Sequence, residues 1–180
     1  MVNAIVGILV KEPDMDYFPV FMNLKDQSVL VVGGGKVAVR KIRALLAAGA
    51  RVGVVARELN PACKSWLEEG QITLLAREYE PWLLEKARLV FSASSDAALN
   101  QRVFHDAEAQ GIPVNVVDDP EYCRFISPAV IDRSPVQIAI STGGTAPALA
   151  RRLRSKLEAQ LPQGLGRFAR AAGNVRKRVR

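Results

Sequence analysis

The 180-residue sequence predicts an α/β protein built on a Rossmann-like, doubly wound parallel sheet. Short apolar segments alternate with amphipathic helical segments through most of the chain. A glycine-rich turn joins the first apolar segment to the first helical one, and the alternation stops after Asp118. Beyond that point a pair of apolar runs and then helical segments follow, so we expect a β-hairpin arm, a candidate for dimerisation, and a C-terminal helical region.

The glycine-rich turn is the most informative stretch of the sequence. A strand is predicted over residues 29–32, which are apolar and mostly β-branched, as in a buried parallel strand. The next residues fit G-x-G-x-x-A at Gly33, Gly35 and Ala38, and a helical pattern then runs to Gly49. Gly33 permits the tight turn, Gly35 lets the backbone approach a pyrophosphate, and Ala38 allows close helix–strand packing. Together they predict the phosphate half of a nucleotide site.

Further strands continue the alternation, and they are predicted over residues 51–56, 72–75, 89–93 and 113–117. Asn60 and Pro61 provide the N-cap and first-turn proline of a helix between the second and third strands. Pro81 begins a short helix, and the Ser94-Ser95-Asp96 segment caps a longer one that ends at Gly111. Helices between successive strands imply a parallel sheet that is covered on both faces.

The pattern changes after Asp118. Two apolar runs, 125–131 and 136–140, are joined by residues 132–135, which predicts a hairpin that either extends the sheet or pairs with another chain. A helix is then predicted over 145–161, followed by a last basic helix. We expect four regions: a disordered extension at 1–14, an NAD-binding Rossmann domain at 15–122, the hairpin arm at 123–144, and a basic helical region, cut short, at 145–180.

The composition is that of a globular protein, with 49% hydrophobic and 24% charged residues. No segment approaches the roughly 20 apolar residues that span a bilayer, so no membrane partner is expected. The start of the chain lacks the basic region and cleavage site of a signal peptide. Cys63 and Cys123 have no metal-type spacing, and Cys63 shares a helical face with apolar residues. We predict a cytoplasmic location and a buried structural thiol at Cys63.

The charge is distributed unevenly. The whole chain carries a net charge of +7, but residues 151–180 hold ten Lys and Arg against one acid, Glu158. Residues 1–150 hold fifteen Lys and Arg against seventeen acids. The basic character is therefore confined to the C-terminal sixth, where it serves a partner, an acidic substrate or solubility.

Ligands of a doubly wound sheet bind beyond the carboxyl ends of its strands. We therefore expect cofactor contacts from Gly33, Gly35, Lys36, Val37, Arg57, Glu58 and Ser94. The position after the second strand normally carries an acid for the adenosine ribose, but Arg57 stands there with Glu58 beside it, so the motif alone leaves NAD and NADP open. NAD is favoured because no second basic residue adjoins Arg57 to clamp a phosphate.

Asp118 ends the fifth predicted strand and is expected to point into the cleft near the nicotinamide. A partly buried carboxylate there would suit a general base. The alternative is that Asp118 is only a turn residue, since the sequence Asp118-Asp119-Pro120 is also typical of a turn. Position alone does not decide between the two interpretations.

The Thr142-Gly143-Gly144-Thr145 turn stands at the start of a predicted helix. It is either a second anion-binding site or a plain N-cap. His105 is the only histidine, and it lies off the apolar face of its helix, so a solvent-facing position is expected. No cluster of His and Cys is visible, and no tightly bound metal is predicted.

Several separate motifs, in one order along the chain, match a known family. Besides the glycine turn they are Tyr17-Phe18-Pro19-Val20-Phe21, Arg40-Lys41, Asn100-Gln101-Arg102-Val103, Asn115-Val116-Val117-Asp118, Phe125-Ile126, Pro128-Ala129, Ile131-Asp132-Arg133-Ser134-Pro135 and Ser141-Thr142-Gly143-Gly144-Thr145. From about Asp16 onward the chain resembles the N-terminal module of siroheme synthase, a precorrin-2 dehydrogenase and sirohydrochlorin ferrochelatase.

The resemblance implies that NAD⁺ accepts a hydride from precorrin-2 to give sirohydrochlorin, and that ferrous iron, a substrate and not a bound cofactor, is then inserted. It makes Asp118 the shared general base of both steps. It makes Asn115, Thr142, Gly143 and Gly144 contacts for the carboxylate-fringed tetrapyrrole. It also implies an intertwined homodimer, which gives the hairpin arm a purpose, and a uroporphyrinogen methyltransferase module that is fused or separate.

Two other functions remain as alternatives. An NAD-sensing regulatory module would bind nucleic acid through the basic C-terminal helix. That region has a single aromatic residue, Phe168, and no recognisable reading motif, so a solvated helix without a nucleic-acid partner is favoured. A simple dehydrogenase of a small metabolite is disfavoured because no separate catalytic domain is apparent.

Overall fold

A computed structural model describes residues 15–178 of the chain, so the extension predicted at 1–14 lies outside the described residues. The strands are β1 Ser28–Val32, β2 Arg51–Val55, β3 Ile72–Ala76, β4 Leu89–Ser92, β5 Val114–Val116, β6 Ala129–Arg133 and β7 Val136–Ile140. The helices are α1 Lys36–Ala47, α2 Pro61–Glu68, α3 Ala97–Ala109, α4 Pro147–Gln160 and α5 Leu165–Arg178, with short 3-10 helices at Pro81–Leu84 and Pro120–Tyr122.

The first five strands form one parallel sheet in the order β3-β2-β1-β4-β5. The chain runs outward from β1 to β3 and then returns to place β4 on the other side of β1. This reversal opens a crevice at the carboxyl ends of β1 and β4, which is where a doubly wound sheet binds its ligands. The predicted α/β fold class is confirmed.

Both faces of the sheet are covered by apolar side chains. Val29 and Val31 belong to a buried cluster with α1 and α2, whereas Leu30 and Val32 belong to a cluster with α3 and the 3-10 helix Pro81–Leu84. Successive residues of a strand point to opposite faces, so β1 has to be apolar throughout. Cys63 is fully buried, as predicted, and that burial raises the pKa of its thiol.

The hairpin is formed by β6 and β7, which pair antiparallel from Ala129 opposite Ile140. Its first strand begins four residues later than predicted, because the preceding segment returns to the parallel sheet. The Arg124 N–H donates to the Val114 carbonyl oxygen (2.8 Å), and the Phe125 ring meets the Phe91 ring edge-on at 5.2 Å between centroids.

The two C-terminal helices pack on this hairpin. Arg133 on β6 approaches Glu158 on α4 (Nη1 to Oε1, 3.3 Å), and Arg170 on α5 donates to the carbonyl oxygen of Ser134 (2.6 Å) in the hairpin turn. A Cβ atom on Gly166 would overlap the carbonyl oxygens of Arg133 and Ser134. The basic α5 is thus held against the arm. Within residues 15–178, none of the helices combines the length and apolar character that crossing a membrane requires.

Candidate cofactor and active site

The glycine turn after β1 is packed between the loops that follow β2 and β4. The Gly33 N–H donates to the Val55 carbonyl oxygen (2.8 Å), and Gly33 has a φ of 116°, in the region that favours glycine. A Cβ atom on Gly33 would overlap the carbonyl oxygen of Ala93, and one on Gly34 would overlap that of Glu58. The first two glycines are therefore required by the fold itself.

Gly35 is different, because it faces open space. It is the N-cap of α1 with a φ of −82°, it has no side-chain cap, and a Cβ atom on it would meet nothing within 4 Å. The N–H groups of the first helical turn, at Lys36 and Val37, consequently have no capping side chain. Uncapped N–H groups, the positive end of the α1 dipole and a bare backbone fit the diphosphate of a dinucleotide.

A cleft of about 1030 Å³ extends from this turn along the carboxyl ends of β1, β2 and β4. This cleft is lined by eight of the predicted site residues: Gly33, Gly35, Lys36, Val37, Arg57, Glu58, Ser94 and Asp118. Residues far apart in the sequence meet here because the parallel strands end at the same edge of the sheet. The cleft is large enough for a cofactor.

Asn100 holds the loop that carries Ser94. Its side-chain oxygen accepts from the Ser92 hydroxyl (2.7 Å) and the Ser94 N–H (3.3 Å), and its amide nitrogen donates to the Ser94 carbonyl oxygen (3.0 Å). Asp96 caps α3 by accepting from the Leu99 N–H (3.1 Å). The motif around Asn100 was visible in the sequence, but its role as a clamp depends on contacts that only the fold creates.

Asp118 lines the cleft where the backbone leaves β5. It has a φ of 63° and an exposed side chain, so the expectation of partial burial is wrong. The strand ends at Val116, and the Asp119 N–H turns back to the Val116 carbonyl oxygen (3.4 Å). Asp118 is therefore both a turn residue and part of the lining of the cleft.

Lys41 is a half-buried cation in the same region. Its amino group donates to the Ser127 hydroxyl (2.8 Å) and lies 4.9 Å from the centre of the Phe91 ring. Burial lowers the pKa of Lys41, and Arg40 adds to that effect, whereas the charges of Cys123 and Asp118 oppose it. Arg40 and Lys41 were noted only as part of a motif, and this position near Asp118 was not anticipated.

Asn115 is not brought into the cleft. Its side chain is buried, and its amide nitrogen donates to the Phe125 carbonyl oxygen (2.8 Å) and the Cys123 sulfur (3.3 Å). The Cys123 thiol in turn donates to the Val116 carbonyl oxygen (3.0 Å), and burial raises its pKa. The structure gives Asn115 an internal role, that of fixing residues 123–125 to β5, in place of the predicted substrate contact.

The Thr142–Thr145 turn also lies outside the residues that line the cleft. The Thr142 hydroxyl accepts from the Ala146 N–H (3.2 Å), and Thr145 donates to the Thr142 carbonyl oxygen (2.6 Å) instead of capping α4. Gly143 and Gly144 both have positive φ angles, 61° and 84°. The expectation that Thr145 opens α4 is thus corrected: α4 begins at Pro147, and Ala146 is its N-cap.

One wall of the cleft has no signal in the sequence. The Tyr79 hydroxyl donates to Asp106 (3.1 Å), and burial together with the Asp106 carboxylate raises the pKa of Tyr79. Arg102 lies 5.5 Å from the centre of the Tyr79 ring and 3.2 Å from a Glu80 oxygen. Tyr79 follows β3 in an irregular segment, so no periodic pattern marked it in the sequence.

The described residues contain no group of three His, Cys, Asp or Glu side chains arranged to hold a metal ion. His105 is exposed, as expected, and its ring meets the rings of Phe104 (5.3 Å between centroids) and Tyr122 (6.1 Å) edge-on.

The fold and the cleft define a dinucleotide-binding Rossmann module. Residues 20–129 match the family described as "Putative NAD(P)-binding", and residues 133–160 match the one described as "Sirohaem biosynthesis protein central". The first match covers more than half of the chain. The chain therefore belongs to this NAD(P)-binding family.

The similar proteins include siroheme synthases, so the resemblance to this family that the motifs indicated is confirmed. Siroheme synthase 2 of Yersinia enterocolitica is 51% identical and siroheme synthase of Chromobacterium violaceum 50% identical, each over 166 residues and 92% of this chain. The chain spans 35% of the length of each. A solved structure of SirC, a precorrin-2 dehydrogenase, has a TM-score of 0.71 and 28% identity, and the match covers 86% of this chain and 76% of that one.

Proposed function

We propose that this chain is the NAD-dependent dehydrogenase module of a siroheme synthase and oxidises precorrin-2 to sirohydrochlorin. The observation that carries the proposal is the single cleft in which the glycine turn and Asp118 face the same space. The relatives named siroheme synthase and the structural match to a precorrin-2 dehydrogenase support the choice of substrate.

In this proposal the chain holds the cofactor and removes a proton. The N–H groups of Gly35, Lys36 and Val37 bind the diphosphate, and Glu58 accepts from the adenosine ribose. The bound NAD⁺ supplies the hydride acceptor. The substrate loses one hydride and one proton, and the Asp118 carboxylate receives the proton.

Asp118 serves a second step in the same way. Ferrous iron, as a substrate, replaces two pyrrole N–H protons of sirohydrochlorin, and a carboxylate at the cleft can accept these protons in turn. For this chelatase activity the base has to release each proton to water before it accepts the next one. The side chain of Asp118 is exposed to solvent, which allows that release. The turn formed by Thr142, Gly143 and Gly144 is proposed as a contact for substrate carboxylates, with the Gly144 N–H as the donor, because the Gly143 N–H donates to the Ser141 hydroxyl (3.0 Å).

We propose that the active form is a homodimer. Leu149, Leu153 and Leu157 follow one another at four-residue spacing on α4, and they are 49%, 39% and 39% exposed. An exposed leucine stripe beside a two-stranded hairpin with open edges is typical of a surface that another chain covers. A cytoplasmic location and a fused or separate methyltransferase module remain predictions.

The alternative of a nucleic-acid-binding module is not favoured. The basic α5 is used to pack against the hairpin turn through Gly166 and Arg170. Phe168 is the only aromatic residue in the last thirty residues.

Asp118→Asn tests the proposal most sharply. Asparagine tolerates a positive φ and keeps the shape of the turn, but it removes the base. We expect NAD⁺ affinity to be retained while dehydrogenation and iron insertion both fall by about 10²–10⁴. The assay follows the absorbance of precorrin-2 with NAD⁺, and then with Fe²⁺.

The matched control is Asp119→Asn, which changes a neighbouring carboxylate that does not line the cleft. Normal rates in Asp118→Asn would reduce Asp118 to a turn residue. The loss of only one activity would show that the two reactions do not share a base.

A further inference from the structure

The wall of the cleft beyond β2 carries an unusual density of charge. Arg57 and Glu58 follow β2, and Arg77 and Glu78 follow β3, so the parallel pairing of these strands brings the four side chains to one edge. Lys64 on α2 joins them around an adjoining cavity of about 530 Å³ that Arg57, Glu58 and Arg77 also line. This charged wall lies where a Rossmann module recognises the adenosine ribose.

The charged wall removes the reason for which NAD was favoured in the sequence. Arg57 does have basic neighbours in space, since Lys64 and Arg77 line the same cavity. Arg57, Lys64 and Arg77 together could bind a 2′-phosphate at least as strongly as a single arginine could. The preference for NAD therefore needs a different physical cause.

Glu78 supplies that cause. Its carboxylate lies 3.1 Å from Arg57 Nη2, and the two side chains are 69% and 80% exposed. An ion pair this exposed contributes little to the stability of the fold, so its effect is on the charge that a ligand meets. Within residues 15–178, the Glu58 side chain makes no hydrogen bond or ion pair, and its carboxylate can accept from ribose hydroxyls.

We propose that Glu78 is the residue that selects NAD over NADP, by occupying Arg57 and placing a second carboxylate beside the ribose position. The 2′-hydroxyl of NAD can donate a hydrogen bond to the Glu58 carboxylate. The 2′-phosphate of NADP would have to displace Glu78 from Arg57 and would lie close to the carboxylates of both Glu58 and Glu78. The inference rests on the proposed dinucleotide function and adds a selectivity residue to it.

Glu78→Gln is the direct test, with the dissociation constants of NAD⁺ and NADP⁺ measured by titration calorimetry without a tetrapyrrole. Loss of this carboxylate frees Arg57 and leaves Lys64 and Arg77 facing one acid. We expect NADP⁺ to bind about tenfold more tightly, the effect of one charge-assisted hydrogen bond, and NAD⁺ affinity to stay within about twofold.

Two variants complete the experiment. Glu68→Gln removes an exposed acid from α2 that does not line either cavity, and it should leave both affinities unchanged. Adding Arg57→Ala to Glu78→Gln should abolish the gain in NADP⁺ affinity. If the wild type binds NAD⁺ and Glu78→Gln gains no NADP⁺ affinity, the inference is wrong and the proposed function stands. A wild type that binds neither dinucleotide would overturn both.

Discussion

The three consecutive glycines of the turn have different roles. Gly33 and Gly34 have no room for a Cβ atom because backbone carbonyl groups press on them, whereas Gly35 faces the cleft with nothing within 4 Å. The sequence pattern assigned the turn to Gly33 and the cofactor to Gly35. The packing role of Gly34 was invisible, since the Glu58 carbonyl group that it meets is distant in sequence.

Gly35→Val should therefore fold normally and lose its affinity for NAD⁺. Its backbone is in an ordinary extended conformation, so valine is sterically accepted, but the branched side chain fills the space the diphosphate needs. Thermal unfolding and NAD⁺ titration measure the two effects.

The comparison variant is Gly34→Ala, in which the added methyl group overlaps the Glu58 carbonyl oxygen. We expect it to be destabilised by about 1–3 kcal/mol, in contrast to Gly35→Val. Unchanged NAD⁺ affinity in a folded Gly35→Val protein would exclude the turn from the site.

Tyr79 gives a prediction that depends on pH. Tyr79→Phe removes the hydrogen bond to Asp106, which should lower the free energy of unfolding by about 1 kcal/mol at neutral pH. The pKa of Tyr79 in the folded protein is raised above its ordinary value of 10.0 by burial and by Asp106. Folding thus favours the protonated phenol, and this stabilisation is fully present below about pH 10 and is lost as the pH rises through the raised pKa.

Urea unfolding at about pH 8 and about pH 11 measures the difference between wild type and Tyr79→Phe. The difference should shrink at the higher pH, because only the wild type loses stability through this phenol. Tyr17→Phe, a change outside the cleft, is the control. A difference that stays constant over this range would contradict the assignment.

Among the secondary-structure elements, the basic α5 packs against the hairpin through a glycine, Gly166. Gly166→Ala should destabilise the contact with the hairpin turn by about 1–3 kcal/mol, because its methyl group would overlap the carbonyl oxygens of Arg133 and Ser134. Limited proteolysis of the C-terminal segment and urea unfolding report the loss.

Gly173→Ala is a matched control on the same helix, since a Cβ atom there would meet nothing within 4 Å. Removing a glycine from an exposed helical position should stabilise the helix by up to about 1 kcal/mol. If both variants behave alike, α5 is not docked through Gly166.

The elements were predictable where periodicity and end signals agreed. The bounds of β1, β2 and α3 differ from the predicted ones by a residue or two, because apolar runs, caps and glycine stops all favour the same limits. The first hairpin strand was placed too early, since an apolar residue such as Phe125 fits a strand pattern equally well when it packs against Phe91. A hydrophobic pattern indicates that a residue is buried, but it does not indicate which residue packs against it.

For the protein as a unit, the proposed dimer depends on the exposed leucine stripe of α4. Leu153→Asp places a charge in the middle of the exposed leucine stripe of α4 and should convert the dimer to monomers, because a charge would be buried without a partner. Light scattering at micromolar concentration measures the change.

Ser155→Asp adds the same charge to an exposed polar position on α4 and should leave the dimer intact. A wild type that is a stable monomer under these conditions would contradict the dimer altogether. The sequence indicated an arm for pairing, but the leucine stripe became apparent only when α4 was seen to pack with its Ala150 face inward.

The C-terminal unit of β6, β7, α4 and α5 is assembled from neighbours along the chain, whereas β1 pairs with β4 across some sixty residues. Local contacts close small loops and form early, while long-range parallel pairing is slow. We expect the arm and its helices to acquire protection before the glycine turn meets the loop after β4, which pulsed hydrogen exchange during refolding would show. Each refolding chain would then present its surface for a second copy before its nucleotide cleft is complete.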